Sequence, residues 1–547
     1  MQSSSQLILG AVALAFVAAP HLAAQPTITA VENAASNIAF VTGVANAGIG
    51  AIAQGSIFVV KGSGLGPANI SIASAPFQST TLSGTSVSIK VSGQQPVNAL
   101  LYYTSDTQVA ALVPSSTVAG LASVTVTYNG QSSAASVTSV VTSSVGIFTI
   151  GSTGEGPAIV TYADYSLVSS LKAANCGGPN TACGAANPGD TLILWATGLG
   201  PVNGDDASGA GLGQNMPNVP LTLWLGGVEV PVIYQGRSGC CIGEDQIVFT
   251  VPNNVPTGCS VPLVVQIGTG TSTISNTGEL PVANGGRNCT SNNAAVAATV
   301  ANALPLLTAG QPFSFADIDV EHAGPAEGGD AIQFPFVKAA PAPGVQPEFL
   351  LSYNDTLPLG TCIANAFKSP SSLTAVGSLD AGSNFTIKGP NGSLTEPLNS
   401  GNFDTLSANG TYLTPGSYTV TGTGGADIGA FSVNFTVLAF PALTSPANGA
   451  TVTRSSGMTV SWTGGDPGGN LRIIVASQSN GPSAQCIVPS SPGTFIIPAY
   501  VMLALPTGGY TFSFASAWEY VPVIATGLNV GIFQYANDGV GVGVVLQ

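Results

Sequence analysis

Charge is what this sequence lacks most. Only 6% of its 547 residues are Asp, Glu, Lys or Arg, against roughly 25% in an ordinary globular chain. The ten basic residues stand singly from Lys61 to Arg472. A nucleic-acid surface needs Lys and Arg in clusters that displace counterions, so no nucleic-acid partner is expected. An anionic membrane surface is disfavoured for the same reason. Histidine is almost missing, with His21 near the start and His322 in the middle. A hydrolytic triad needs a histidine base held by a carboxylate, and no Gly-x-Ser-x-Gly elbow accompanies either histidine. Long apolar runs are missing too. Leu7 to Ala18 is too short for the ~20 residues of a membrane span and suits the apolar region of a signal peptide. Cleavage is expected near Ala24, although no Lys or Arg precedes the run. The expected mature chain has no transmembrane helix and is secreted or displayed at the cell surface.

Glycine (69 residues) and proline (38) are abundant, and 45% of the residues are hydrophobic. That balance suits short strands joined by turns, each domain with its own core. The length allows about three to five domains of roughly 100–200 residues. With so few charges and a net charge of −15, the surface must be built of Ser, Thr, Asn, Gln and Gly.

One stretch occurs twice. Gly55-Ser-Ile-Phe-Val-Val-Lys-Gly-Ser-Gly-Leu-Gly-Pro67 returns as Gly189-Asp-Thr-Leu-Ile-Leu-Trp-Ala-Thr-Gly-Leu-Gly-Pro201, 134 positions later. Further on, Gln108-Val-Ala-Ala-Leu-Val-Pro114 returns as Gln246-Ile-Val-Phe-Thr-Val-Pro252, now 138 positions later. Gly120 and Gly258 follow at the same distance from their prolines. Order and spacing point to duplication with a small insertion. The glycines do not form a nucleotide loop, because Pro67 occupies the last position of the Gly-x-Gly-x-x-Gly pattern.

These motifs resemble the IPT/TIG class of immunoglobulin-like domains. The pair, with Gly239-Cys240-Cys241 and Pro256-Thr-Gly-Cys259, is similar to a repeat domain abundant in exported proteins of Solibacter-type acidobacteria. The resemblance spans roughly residues 30–290 and implies a fold, with no catalytic residues to carry over. Beyond it, Tyr412–Thr421 and Ala430–Val437 read as strands of a third sandwich. Met458-Thr-Val-Ser-Trp462, the turn Gly464–Gly469 and Leu471–Ala476 resemble a fibronectin-type or bacterial immunoglobulin-like module. The expected fold is therefore all-β, with tandem immunoglobulin-like sandwiches. The expected division is a signal peptide at 1–24, a leader at 25–50, sandwiches at 51–150 and 151–290 (the second rich in cysteine), a linker with a short strand at 291–347, and sandwiches at 348–440 and 441–547.

The eight cysteines suit disulfides in an exported chain. Cys176 and Cys183 close a small loop. Adjacent cysteines seldom bond to each other, so Cys240 and Cys241 are each expected to take one of Cys259 and Cys289. Cys362 with Cys486 would then tie two later domains together. Cys-x-x-Cys pairs suited to zinc do not occur, and no cofactor is expected.

Asp317, Asp319 and Glu321 are the candidate metal ligands. On a strand they share one face, and Ca²⁺ takes six to eight oxygens. The competing reading is the solvated face of an ordinary strand, with Ala316, Ile318 and Val320 inward, and it is favoured because one strand spreads its carboxylates apart. Phe313 and Phe315 fall on the acidic side, which suits neither reading cleanly. Trp195 stands where Lys61 does in the first copy and is expected to face outward; Trp462 is expected in a core. The expected role is a non-enzymatic structural or adhesion protein whose partner is an extracellular protein or polysaccharide. A carbohydrate-binding protein is the alternative and a hydrolase comes third.

Overall fold

The computed structural model describes residues 25–40, 50–173, 175–268, 273–290, 305–322, 329–341, 357–365, 373–398, 403–407, 409–478, 481–517, 519–537 and 539–547. The expected signal peptide lies outside them. Strands take up 51% of the described residues and helix 3%. Among the described residues, the strands form eight sheets, which pack face to face around four main hydrophobic cores. The fold is all-β, a set of β-sandwiches.

Strand periodicity builds each core. In Thr85–Val91, Val87, Ile89 and Val91 are buried while Lys90 is exposed. They meet Phe58 and Val60 of Ile57–Ser63 and Val109 and Ala111 of Gln108–Leu112 from the facing sheet. The two copies of the repeated stretch occupy equivalent strands. Ile57–Ser63 pairs with Gln108–Leu112, which pairs with Leu100–Thr104. Thr191–Thr197 pairs with Asp245–Thr250, which pairs with Val232–Arg237. Both edge pairs carry a register shift at the same place, between Leu101 and Tyr103 and between Val232 and Tyr234. A shared bulge at one position is a built feature and marks the two sandwiches as copies. The turn that follows is short in the first copy (105–107) and longer in the second (238–244), which accommodates the drift in spacing from 134 to 138.

In the second half, sheet order departs from chain order. Residues 313–341, expected as a linker with one short strand, form the strands Phe313–His322, Asp330–Gln333 and Phe336–Pro341. Phe313–His322 lies inside the large sheet of the third sandwich, and Val530–Asn537 returns from near the C-terminus to pair with it in parallel over eight residues, Phe315↔Val530 to His322↔Asn537. In the other direction, Thr361–Asn365 leaves the third sandwich and joins the sheet of the fourth beside Ser483–Pro489. The expected boundaries at 347 and 440 therefore do not follow the sheets. The mixed reading of Phe313 and Phe315 also has its reason here. Ala316, Ile318 and Val320 enter the main core, whereas Phe313 is buried on the opposite face with Leu307, Ala339 and Val530. The strand is covered on both faces at its start and on one face further along.

Trp462 is buried as expected, its Nε1 donating to the Ser490 carbonyl at 2.6 Å and its ring 5.5 Å from that of Phe514.

Candidate functional site

The acidic row points away from the main core, with Asp317, Asp319 and Glu321 all half-buried. Their strand neighbours on that face are Gln333 and Ala331 on one side and Ile532, Gln534 and Ala536 on the other. Alternate residues of a strand lie about 6.5–7 Å apart, so the row is spread along the sheet. Burial pushes Asp319 up to about 7, opposed by a hydrogen bond from Gln534 and reinforced by the charge of Glu321. Among the described residues, the row is not a place where three ligand atoms approach one another within 4.8 Å. The one such group is Cys240, Cys241 and Glu244, and its two sulfurs are bonded to each other.

His322 ends the same strand and bonds through Nδ1 to Asp330 on the neighbouring strand. Asp330 is fully buried, and its other oxygen accepts from the backbone N–H groups of Tyr412 (2.7 Å) and Leu413 (2.9 Å). The carboxylate thus anchors a loop and the histidine caps it. This pairing is a structural tie within one sandwich.

All eight cysteines are bonded, two of the pairs as expected: Cys176–Cys183, read as a small loop, and Cys362–Cys486, read as the remaining pair. The expected exchange among the middle four does not occur. Cys240 bonds to Cys241, and Cys259 bonds to Cys289. Cys362–Cys486 joins two directly opposed residues of neighbouring strands in one sheet. It ties two domains only in the sense that the Cys362 strand has crossed over to the fourth sandwich.

Sequence reasoning missed Arg237. It lies at the end of the lengthened hairpin and is 1% exposed. Its guanidinium pairs with Asp245, which is itself fully buried. Its Nη2 donates at 2.6 Å to two carbonyls, Gly200 in the second Gly-Leu-Gly-Pro and Gly55 at the start of the first repeated stretch. Burial lowers the guanidinium to about 10, the charge of nearby Asp206 working against it, so it is charged at neutral pH. The network continues across the junction. Asp206 accepts from the Ser115 N–H (2.6 Å) and hydroxyl (3.0 Å), and Ser115 Oγ accepts from the Val202 N–H at 3.1 Å. Thr197 Oγ1 accepts from the Ile57 N–H at 2.9 Å and donates to the Gly243 carbonyl at 2.6 Å. Asp245 also accepts from the Leu199 N–H at 2.9 Å. Beside these polar groups, Ile242 of the hairpin tip packs on Leu100 and Leu112 of the first sandwich. The only signal in the sequence was that two rare charged residues flank the inserted segment.

A second junction joins the second and fourth sandwiches. Trp224 stacks on Tyr500 with ring centroids 4.9 Å apart, and Val264 enters the core of the fourth sandwich. Thr277 Oγ1 donates to the Ala364 carbonyl at 3.1 Å. Trp195 does lie on the outward face, but it is half-buried: its Nε1 donates to Thr161 Oγ1 at 3.0 Å and Tyr165 packs 6.1 Å away. Trp518 lies outside the described residues.

One charged group is held against its preference within the second sandwich. Burial pushes Glu279 up from 4.5 to about 7, against a hydrogen bond with Ser260 and helped by the charge of Glu155. The fold therefore holds the neutral form best. The stability this gives is complete below about 4.5 and is lost as pH rises through about 7. Asp319 acts in the same direction. Urea unfolding of the whole chain is expected to show stability rising as pH falls from 8 to 5, with a smaller slope in Glu279→Gln. An unchanged slope in that variant would remove Glu279 as a source.

No protein-family profile matches the chain, and no curated protein does. Solved structures do. A tetra-tandem repeat from the extending region of a large adhesion protein is 11% identical, covering 95% of this chain and 98% of its own, with a TM-score of 0.13. Domains 4–9 of the surface layer protein SbsC are 12% identical over 93% of this chain and 65% of theirs, with a TM-score of 0.18. Immunoglobulin domains 1–4 of Sidekick-1 are 11% identical over 91% and 95%, with a TM-score of 0.11. At these scores the likeness carries no argument. Among the described residues, no helix is long and apolar enough to cross a membrane.

Proposed function

We propose that this chain is a non-enzymatic extracellular protein, secreted or held at the cell surface, that works as a structural or adhesive scaffold. We further infer that its first two sandwiches belong with the IPT/TIG-like repeat domain of exported acidobacterial proteins. The observation that carries the scaffold reading is the pair of buried junctions. Arg237 bonds to carbonyls of both early sandwiches, and Trp224 is stacked under Tyr500. A chain that only needed to string domains together could use exposed polar linkers. Burying a guanidinium between two domains favours one fixed arrangement.

Tryptophan placement weighs against a glycan platform. Trp462 is buried, and Trp195 and Trp224 are half-buried and hydrogen-bonded through their indole nitrogens. The test is purified mature protein on a glycan array, with the cell envelope of its own source as a pull-down matrix and small-angle scattering in parallel. The scaffold reading expects envelope retention, no selective glycan and a scattering profile that matches one rigid arrangement. Selective glycan retention, or scattering that requires freely hinged domains, would overturn it.

A further inference from the structure

The hairpin that carries Arg237 ends in a tip, 238–244, that is seated on the first sandwich. Ile242 is 2% exposed and packs on Leu100 and Leu112. The Tyr102 hydroxyl donates to the Ile242 carbonyl. Gly243 comes so close that a Cβ there would lie 2.1 Å from Leu112 Cδ1. Thr197 Oγ1, which donates to the Gly243 carbonyl, also accepts from the Ile57 N–H. A shift of the tip is therefore felt at the start of the first repeated stretch.

Within the tip, Cys240 and Cys241 are bonded to each other. Ser238 Oγ accepts from the Cys241 N–H at 3.2 Å and donates to Glu244 Oε2 at 3.0 Å, which ties the backbone of the pair to the base of the tip. Cys240 is exposed and Cys241 half-buried, whereas Cys183, Cys362 and Cys486 are buried. The bond also closes no loop. Its sequence separation is 1, against 7, 30 and 124 for the other three. A cross-link between neighbours hardly restricts the unfolded chain. Linkage is reciprocal, so the fold in turn does least to hold this bond closed. Its effect is local. The small ring fixes the backbone of two adjacent residues, and opening it returns their freedom.

We propose that Cys240–Cys241 is a thiol-exchange site, opened by a small thiol and closed by a small disulfide, and that its opening releases Ile242 and Gly243 from the first sandwich. An attacking thiolate bonds to the sulfur of Cys240, the exposed member. The bond between the two cysteine sulfurs breaks, and Cys241 leaves as a thiolate that takes a proton from water. A second thiolate attacks the mixed disulfide and releases Cys240. Two small thiols are oxidised to one disulfide, and the protein disulfide is reduced to two thiols. The reverse exchange closes the site. The two cysteines stay adjacent throughout, so the bond re-forms without any search by the chain. The inference does not rest on the scaffold reading, because exchange at the tip is independent of what the chain binds.

The full chain is treated with rising concentrations of dithiothreitol, quenched with N-ethylmaleimide and mapped by peptide mass. Cys240 and Cys241 are expected to be labelled while the other six cysteines stay bonded and thermal unfolding stays cooperative. Hydrogen exchange on that partly reduced chain is expected to be faster by about tenfold or more in 238–244 and 55–58, with Thr85–Val91 unchanged. Oxidised glutathione is expected to restore the slow pattern. A folded Cys240→Ser/Cys241→Ser chain is expected to show the fast pattern without thiol and no response to it. The comparison of the two redox states of the unmodified chain stands even if that variant fails to fold. Another pair labelled first, or Cys240 and Cys241 resisting until the chain unfolds, would overturn the exchange site. Unchanged exchange at 55–58 after labelling, equal acceleration of Thr85–Val91, or slow exchange in the folded double variant would overturn the release of the tip.

Discussion

Replacing Arg237 with methionine is expected to cost about 3–5 kcal/mol of stability, the usual penalty for leaving one half of a buried ion pair. Asp245 would stay fully buried with the Leu199 N–H as its remaining partner. The carbonyls of Gly55 and Gly200 would each lose a donor. The loss should depend on pH with a definite sign. Without the guanidinium, desolvation raises the Asp245 carboxyl, so the folded variant prefers a protonated Asp245. Its deficit should shrink as pH falls from 7 toward 4 and be greatest at neutral pH. Adding Asp245→Asn to the variant keeps an acceptor for Leu199 and removes the charge, so the double variant should recover part of the stability. Urea unfolding followed across this pH range measures all three quantities. A loss under about 1 kcal/mol, or a double variant worse than the single one, would mean that the pair is solvated and does not lock the junction.

The same residue shows how far the sequence could be read. Duplication was legible because strands repeat with period two and the repeated stretch preserves glycines at both strand ends. The second Gly-Leu-Gly-Pro turned out to be more than a strand terminus. Gly198 lies so close to the Ser144 carbonyl that a side chain there would collide with it, at 2.0 Å, and its φ of 103° lies in the region that favours glycine. The Leu199 N–H and the Gly200 carbonyl then carry the junction. The first copy, Gly64-Leu65-Gly66, bonds within its own sandwich, to Asp106 and Thr85. Identical motifs therefore face different surroundings, and local pattern does not distinguish them. Pairing across long separations was equally hidden. Val530–Asn537 has the alternation of any half-buried strand, and nothing in it names Phe313–His322 as its partner. The bond between Cys240 and Cys241 escaped a rule that is sound for most adjacent cysteines. The acidic row was legible in its direction, outward on a strand. Its surroundings were not, because Gln534 reaches it only through that long-range parallel pair.

The exchanged strand leads to the second large effect. Thr361–Asn365 sits at the edge of a six-stranded sheet, paired on one side with Ser483–Pro489. Its disulfide closes a loop with a sequence separation of 124, whereas Cys176–Cys183 closes one of 7. If a disulfide acts by restricting the unfolded chain, the longer loop should contribute about 5 kcal/mol and the shorter about 2.4 kcal/mol. Cys362→Ser/Cys486→Ser is therefore expected to lose about twice as much stability as Cys176→Ser/Cys183→Ser. Both serine pairs avoid leaving a free thiol. The longer loop also holds the Ala364 backbone against Thr277 of the second sandwich. Its removal should therefore speed exchange of amide hydrogens in 361–365 and loosen the contact between Trp224 and Tyr500. Denaturant unfolding gives the ordering of the two losses, and hydrogen exchange gives their location. Equal losses, or a larger one from the short loop, would mean that chain entropy does not set the effect. Exchange confined to 361–365, with Trp224 unchanged, would show that the second junction stands without the exchanged strand.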